Sequence, residues 1–164
     1  MAINDPTKLF QHELGMALGA EKKIHTMLGK IEREVQNEEL KQRVSDHRAE
    51  TEGQIRNIEQ AFQALGGSAT GHHHEAVDGL AQESDKMIGM VDGPLVDAVI
   101  LGGAAKTEHL EIAMYEGLIT KAEAMGEQDV VALLQENLEQ EQRVLREVEQ
   151  LSQRLSKQLA SQTA

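Results

Sequence analysis

The sequence predicts an all-α protein, a four-helix bundle whose two helical hairpins are joined by a long crossover connection. Four segments of helix length carry apolar residues at alternating spacings of three and four. Only two prolines occur in 164 residues, and both Pro6 and Pro94 stand where a helix could begin. A glycine-rich stretch and a shorter helical segment separate the second long segment from the third. Because this length suits one domain, we predict a single domain over residues 1–164.

The first helix is predicted over residues 6–35, after the start signal of Asp5 and Pro6. Its apolar face is interrupted once, by Glu21, which we therefore expect to point into the core. The apolar positions of this face are Phe10, Leu14, Ala17, Ile24, Leu28, Ile31 and Val35.

The second helix is predicted over residues 38–65 and is apolar at both ends but polar in its middle. Its middle carries His47, Thr51 and Gln54 on the core face, with Glu50 on the flank. The apolar positions at the two ends are Leu40, Val44, Ile58, Phe62 and Leu65. Two turns of the core-facing side are thus polar.

The crossover is predicted as a glycine-rich stretch from Gly66 to Gly71 and a short helix over residues 75–91. A hairpin, a long crossover and a second hairpin make up the ferritin-like topology. The run of His72, His73 and His74 opens the crossover, and imidazole clusters bind Zn, Ni or Cu. Since adjacent side chains cannot all converge on one ion, we favour a cluster that is exposed to solvent.

The last two helices are predicted over residues 94–125 and 127–158, with Gly126 as the stop signal between them. The apolar positions of their core faces are Ile100, Ala104, Met114, Leu118, Met125, Val131, Leu134, Leu138, Leu145, Val148 and Leu155.

Acidic residues interrupt these two faces as well. Glu108 and Glu111 lie one turn apart on the third long helix, and Glu141 lies on the fourth. Tyr115, four residues after Glu111, reaches the same face. It either hydrogen-bonds the acidic residues or fills the core, and core filling is the simpler interpretation.

The acidic interruptions fall at one level of the bundle. Glu21 and Glu50 lie about 15 and about 14 residues from the turn that joins their helices, which is roughly 20 Å for each. Glu111 and Glu141 each lie about 15 residues from the turn between the last two helices. Two helices joined by a tight turn face each other at equal distances from it, so each hairpin contributes carboxylates at one depth.

A layer of carboxylates in an apolar bundle needs compensation, because unpaired buried charges are costly and like charges resist ionising together. No Lys or Arg falls on the core faces at this height, which leaves His47 as the one candidate cation. A single glutamate on such a face is often partly exposed, but four at one level favour bound metal. Carboxylates with little imidazole and no thiolate suit Fe or Mn, and facing helices build dinuclear sites in this way.

Four ordered motifs resemble the YciE/YciF-type ferritin-like stress proteins of bacteria, and the resemblance runs from about Leu9 to Leu155. The motifs are Leu18-Gly19-Ala20-Glu21-Lys22-Lys23, His47-Arg48-Ala49-Glu50-Thr51-Glu52-Gly53-Gln54, Lys106-Thr107-Glu108-His109-Leu110-Glu111-Ile112-Ala113 and Asn137-Leu138-Glu139-Gln140-Glu141. The resemblance implies a bundle related to rubrerythrin and ferritin, a homodimer, and an acidic dinuclear metal site.

The resemblance also implies a ligand set that agrees with the core-face analysis. The set is Glu21, Glu50, Glu108, Glu111 and Glu141. Gly53 and Val144 stand where ferritin-like sites place histidines, and Gln54 stands where many members of the family have histidine. Gln54 is a weaker ligand, so one metal ion or two of unequal affinity both fit. For His47, three residues before Glu50, we favour orienting that carboxylate over binding metal.

The formal net charge of −12, from 28 acidic and 16 basic residues, predicts that neither nucleic acid nor an anionic membrane is a partner. No apolar run reaches the roughly 20 residues of a membrane span, and no charged-then-apolar leader opens the chain. We therefore expect a cytoplasmic protein. Cysteine is absent, which leaves the redox compartment undecided.

Three functional classes fit these observations. An enzyme would use the metal pair to react with O2 or peroxide, with Tyr115 and Thr51 as hydrogen-bond donors beside it. A metal buffer would bind and release iron without turnover, and a structural bundle would hold its acids protonated. We favour a metal-binding protein of the stress response, including oxidative stress, and leave catalysis open.

Overall fold

The computed structural model describes residues 2–162, and within them every regular element is helical. The elements are α1 (Pro6–Glu34), α2 (Glu38–Ala64), α3 (Glu75–Ile88), α4 (Leu95–Met125) and α5 (Gln128–Gln162). In the four-helix bundle, α1 packs on α2 and α4, and α5 packs on the same two helices. The crossover therefore links diagonally opposite helices, α2 and α4, and α3 lies across α1 and α4. The predicted all-α fold is confirmed.

Two helix ends differ from the prediction by more than one residue. The short helix α3 ends at Ile88 rather than 91, because Met90 and Val91 donate backbone hydrogen bonds three residues back, to Met87 and Ile88, which tightens the chain into a turn. The last helix continues to residue 162 rather than 158, since its final residues include neither glycine nor proline to stop it.

The crossover loop lies directly on α1 at two glycines. The backbone N–H of His72 donates to the carbonyl of Gly15 at 2.7 Å. A Cβ on Gly19 would stand 1.8 Å from the carbonyl oxygen of His72, so only glycine admits the loop here. The His72 ring also packs on the His12 ring, with centroids 4.6 Å apart. The first hairpin thereby fixes where the crossover begins.

The other two histidines of the run act on the start of α3. His74 caps the helix, because its Nδ1 accepts from the backbone N–H of Val77 at 3.4 Å. His73 is exposed, as predicted for the run, and its Nδ1 lies 3.1 Å from Asp78. His72 and His74, however, are half-buried, unlike the fully exposed cluster that was predicted. The run therefore helps to join the crossover loop to α1 and α3.

A buried aspartate ties α4 to the turn between α1 and α2. The carboxylate of Asp97 accepts from the backbone N–H of Gln36 at 2.9 Å and from that of Asn37 at 3.0 Å. These two N–H groups precede α2 and have no acceptor within a helix. Asp97 supplies the acceptor from α4 and so links that helix to the turn.

The core has two apolar ends and a polar middle. One apolar cluster, around Phe10, Phe62 and Leu134, lies towards the turn between α4 and α5. A second, around Leu40 and Leu151, lies towards the turn between α1 and α2. The buried polar residues of the layer between them are Glu21, His47, Thr51, Gln54, Glu108, Glu111, Asn137 and Glu141.

Candidate metal centre

The polar layer draws its acids from three helices and its imidazole from the fourth. The layer takes Glu21 from α1, His47 from α2, Glu108 and Glu111 from α4, and Glu141 from α5. The four glutamates are no more than 2 % exposed, and His47 is 7 % exposed. Each stands at a position where the helix would otherwise bury an apolar residue, which is why the apolar spacing located them.

Four of these side chains converge on one point. His47, Glu108, Glu111 and Glu141 each offer one nitrogen or oxygen atom, and these atoms all lie within 4.8 Å of one another. Nε2 of His47 lies 3.3 Å from Oε1 of Glu108. His47, which we expected to orient Glu50, thus stands among the converging groups.

Glu21, a predicted ligand on α1, lies beside this cluster but is not among the four converging residues, and it is held by Tyr115. The buried Tyr115 hydroxyl donates to Oε1 of Glu21, so this tyrosine both fills the core and hydrogen-bonds the acidic layer. Asn137 supports it, donating to the Tyr115 hydroxyl at 3.1 Å and to the backbone carbonyl of Gln54 at 3.2 Å. Sequence reasoning gave Asn137 no role, although its position four residues before Glu141 on the core face was a usable signal.

Glu50 occupies a different place from the other predicted ligands. Its side chain is 32 % exposed, and its Oε1 accepts from Nη2 of Arg143 at 2.7 Å. Thr51 and Gln54 are buried: the Thr51 hydroxyl donates to the carbonyl of His47 at 2.9 Å, and Gln54 donates through Nε2 to Glu141. Gln54 therefore acts as a donor to a carboxylate.

An apolar cavity of about 70 Å³ adjoins the cluster. His47 and Glu108 form its polar end, and its apolar wall includes Ile24, Val44 and Ile100. This volume is well below the roughly 150 Å³ that admits benzene, so the cavity suits a water-sized or diatomic molecule.

The chain matches a known protein family and is similar to known proteins. A family model described as "Domain of unknown function (DUF892)" matches residues 5–161. The chain belongs to the DUF892 family. Within this ferritin-like family, protein YciF of Escherichia coli K12 is 36 % identical over 135 residues, which is 81 % of each chain. The resemblance to YciF-type proteins is thereby confirmed.

Two solved structures share the fold of this chain. The crystal structure of the E. coli stress protein YciF superposes with a TM-score of 0.90 at 30 % identity, covering 94 % of this chain and 99 % of that one. YcfI of Rhodopseudomonas palustris gives a TM-score of 0.88 at 34 % identity, covering 90 % and 94 %. These likenesses confirm the ferritin-like bundle. Within residues 2–162, no helix has the length and hydropathy of a membrane span.

Burial makes the acids of this DUF892 chain hard to ionise. Desolvation, followed by the charge of Glu141, raises the pKa of Glu21 from 4.5 to about 8, against the hydrogen bond from Tyr115. Desolvation also raises the pKa of Glu108 to about 7. For Glu111 and Glu141, desolvation and then the charges of neighbouring carboxylates hold the pKa well above its ordinary value. Without a bound cation, the layer is largely protonated at neutral pH.

The layer also offers buried acceptors that lack donors. Apart from protons shared between neighbouring carboxyls, the unpartnered atoms of the layer are Oε2 of Glu21, Oε2 of Glu108, both carboxyl oxygens of Glu111, Oε2 of Glu141, Oε1 of Gln54 and Nδ1 of His47. Buried acceptors normally have a partner, and oxygen and imidazole donors of this kind suit Fe or Mn. The residues therefore fit a metal ion.

Proposed function

We propose that this protein is a metal-binding protein of the bacterial stress response, with Fe or Mn held in a dinuclear-type site inside the bundle. The proposal rests on one observation. Potential metal-binding atoms converge from His47, Glu108, Glu111 and Glu141, and each of these residues has a buried side-chain atom without a hydrogen-bond partner. The stress role is carried over from the relative described as the E. coli stress protein YciF. A cytoplasmic location stays a prediction.

In this proposal the converging groups hold the metal, and their neighbours orient them. Gln54 fixes Glu141 by its amide hydrogen bond, and Tyr115 fixes Glu21 by its hydroxyl. Binding requires the raised-pKa carboxyls to release their protons, so the metal takes the place of protons in the layer. When bound, Fe or Mn would supply redox chemistry towards O2 or peroxide.

The cavity beside His47 and Glu108 favours O2 over peroxide as the small reactant. Its walls are mostly apolar, and the apolar O2 loses little on leaving water, whereas peroxide loses hydrogen bonds. With an added reductant that returns the metal to Fe(II), several turnovers of O2 consumption would indicate an oxidase. Consumption that stops after one stoichiometric reaction would favour a metal buffer without catalysis.

A second candidate function is a structural bundle that binds no metal. The observation that favours it is the raised pKa of the acids, near 7 for Glu108 and about 8 for Glu21, because neutral carboxyls can stay buried without a cation. The two candidates differ in one measurable quantity, the metal content of the protein as purified.

The decisive experiment is elemental analysis of untagged protein, purified without chelator and without nickel resin. We expect about one to two Fe or Mn ions per chain in the natural protein. Glu111→Gln should lose the metal, whereas Glu116→Gln, which changes an exposed acid on the same helix, should keep it. Near-zero metal in all three proteins after anaerobic Fe(II) loading would refute the metal function and leave the structural bundle.

We further propose that the protein acts as a homodimer. Large apolar side chains lie exposed around the junction of α3 and α4, with Met90 70 %, Leu95 50 % and Met87 41 % exposed, and such a patch suits a contact with a second copy. Light scattering should give about twice the chain mass of 18.0 kDa. Leu95→Lys should shift the mass to that of one chain, whereas Leu9→Lys, at an exposed residue of α1, should not. A natural protein that runs as a single chain would contradict the dimer.

A further inference from the structure

Glu50 lies at the edge of the metal centre, although it faces a different partner. It follows His47 by three residues on α2, so the two side chains share a side of the helix. Its charge is close enough to contribute to the raised pKa of Glu108. Its carboxylate nevertheless binds the guanidinium of Arg143 at 2.7 Å. The one predicted ligand outside the buried set is thus the one that already has a cation.

Arg143 belongs to a chain of alternating charges that links α5 to α2. Its Nη1 lies 3.6 Å from Glu147, and Glu147 in turn binds Arg43. Arg43 also lines the cavity that ends at His47 and Glu108. The ion pairs thus connect Glu50 to Arg143, Arg143 to Glu147, and Glu147 to Arg43. Within this network Arg143 is held next to Glu50, and it lies two residues after Glu141 on α5.

A guanidinium can neutralise Glu50 but cannot lose its proton, so only a competing cation can replace it. The Glu50 and Arg143 side chains are 32 % and 42 % exposed, and ion pairs that are this exposed are weak. A divalent ion that also contacts Glu108 would offer Glu50 a stronger partner. The ion pair therefore holds Glu50 in the apo state, yet it is weak enough for a divalent ion to replace the Arg143 guanidinium.

We propose that Arg143 occupies the second cation position of this centre, so that a second metal ion binds only when Glu50 exchanges the guanidinium for it. The inference rests on the proposed metal function. In it, His47, Glu108, Glu111 and Glu141 bind the first ion, and Arg143 sets the affinity for the second. Arg143 is a positioning residue here, since it acts through Glu50.

Arg143→Gln tests the exchange, with Arg146→Gln as the matched control. Arg146 is exposed, lies three residues further along α5, and its replacement changes the formal charge equally. Anaerobic Mn(II) titration, followed by calorimetry and by electron paramagnetic resonance, separates a first ion from a spin-coupled pair. We expect Arg143→Gln to tighten binding of the second ion by about threefold to fivefold, with the affinity for the first ion little changed. The natural protein and Arg146→Gln should bind the second ion equally weakly.

Glu50→Gln completes the test. It should retain the first ion and lose the second, and the double variant Arg143→Gln with Glu50→Gln should bind like Glu50→Gln alone. Equal second-ion affinity in Arg143→Gln and Arg146→Gln, with the first ion bound, would overturn the exchange while leaving the metal function standing. No first ion in any of the proteins, all with native helicity by circular dichroism, would overturn the metal function and this inference with it.

Discussion

Both carboxyl oxygens of Glu111 are buried, and apart from a proton shared with Glu21 no donor reaches them. Desolvation first, and then the charges of Glu141, Glu21 and Glu108, raise its pKa. A group whose pKa is raised by folding contributes stability that is present below the pKa of the unfolded chain. That contribution is lost as pH rises through the pKa of the folded protein. Glu111 therefore destabilises the metal-free protein at alkaline pH.

Glu111→Gln should raise the stability of the metal-free protein at pH 8 by about 1–3 kcal/mol, because the amide is neutral in both states, whereas the Glu111 carboxyl ionises freely only in the unfolded chain. At pH 5, where the acid is already neutral, the change should be small. Chemical denaturation of chelator-treated protein at both pH values measures it. Glu116→Gln, at an exposed position of α4, should change neither value. A loss of stability at pH 8 would mean that Glu111 has a cationic partner in the apo protein.

At the scale of the helix, glycine positions decide whether the crossover can dock. Gly19→Ala places a Cβ 1.8 Å from the backbone oxygen of His72, so the loop must move away from α1. We expect a loss of about 2 kcal/mol or more in the free energy of unfolding, as for overpacked sites. Gly79→Ala is the matched control on α3, where a Cβ meets nothing within 4 Å. It should gain up to about 1 kcal/mol from helix propensity. Gains in both variants would show that the loop is not held on α1.

Asp97 governs a second junction between elements. Asp97→Ala leaves the backbone N–H groups of Gln36 and Asn37 without their acceptor, which should cost about 1.5–3 kcal/mol of stability. The exposed Asp92, on the same chain segment, provides the control, and Asp92→Ala should stay within about 0.5 kcal/mol of the natural protein. Thermal denaturation of the three proteins compares them. Equal melting temperatures would indicate that water replaces the carboxylate.

The helices and the acidic layer could be predicted from the sequence, whereas the hydrogen-bond and ion-pair partners of the side chains in and around the layer could not. The alternation of apolar residues located Glu21, Glu111 and Glu141 because each interrupts a buried face. Spacing also placed His47 on the core face of α2 and Glu50 on its flank, but it did not show that His47 converges with the acids while Glu50 pairs with a cation. The pairing of Glu50 depends on Arg143, which α5 brings to it only when the bundle is assembled. The cavity likewise arises from the packing of several helices and has no local signal.

At the scale of the whole molecule, the raised pKa values of several acids act together on pH stability. The contributions of Glu108 and Glu21 are present below pH 4.5 and are lost as pH rises through about 7 and about 8. We therefore expect the melting temperature of the metal-free protein to fall between pH 5 and pH 8. Added Mn(II) should raise the melting temperature more at pH 8 than at pH 5, because protons compete for the ligands. A scan of metal-free and Mn(II)-loaded protein over this range measures both trends. A metal-free protein that becomes more stable towards pH 8 would contradict the assigned pKa directions.

The polar layer separates two apolar clusters that each draw on all four long helices. Heat would then act on two cores stacked along one axis, with a polar layer between them whose mostly neutral acids add little apolar contact. A metal ion bound by His47, Glu108, Glu111 and Glu141 would join both hairpins at that layer. Its consequence would be cooperativity: the metal-free bundle could melt from one end, whereas the loaded bundle would unfold as a single unit.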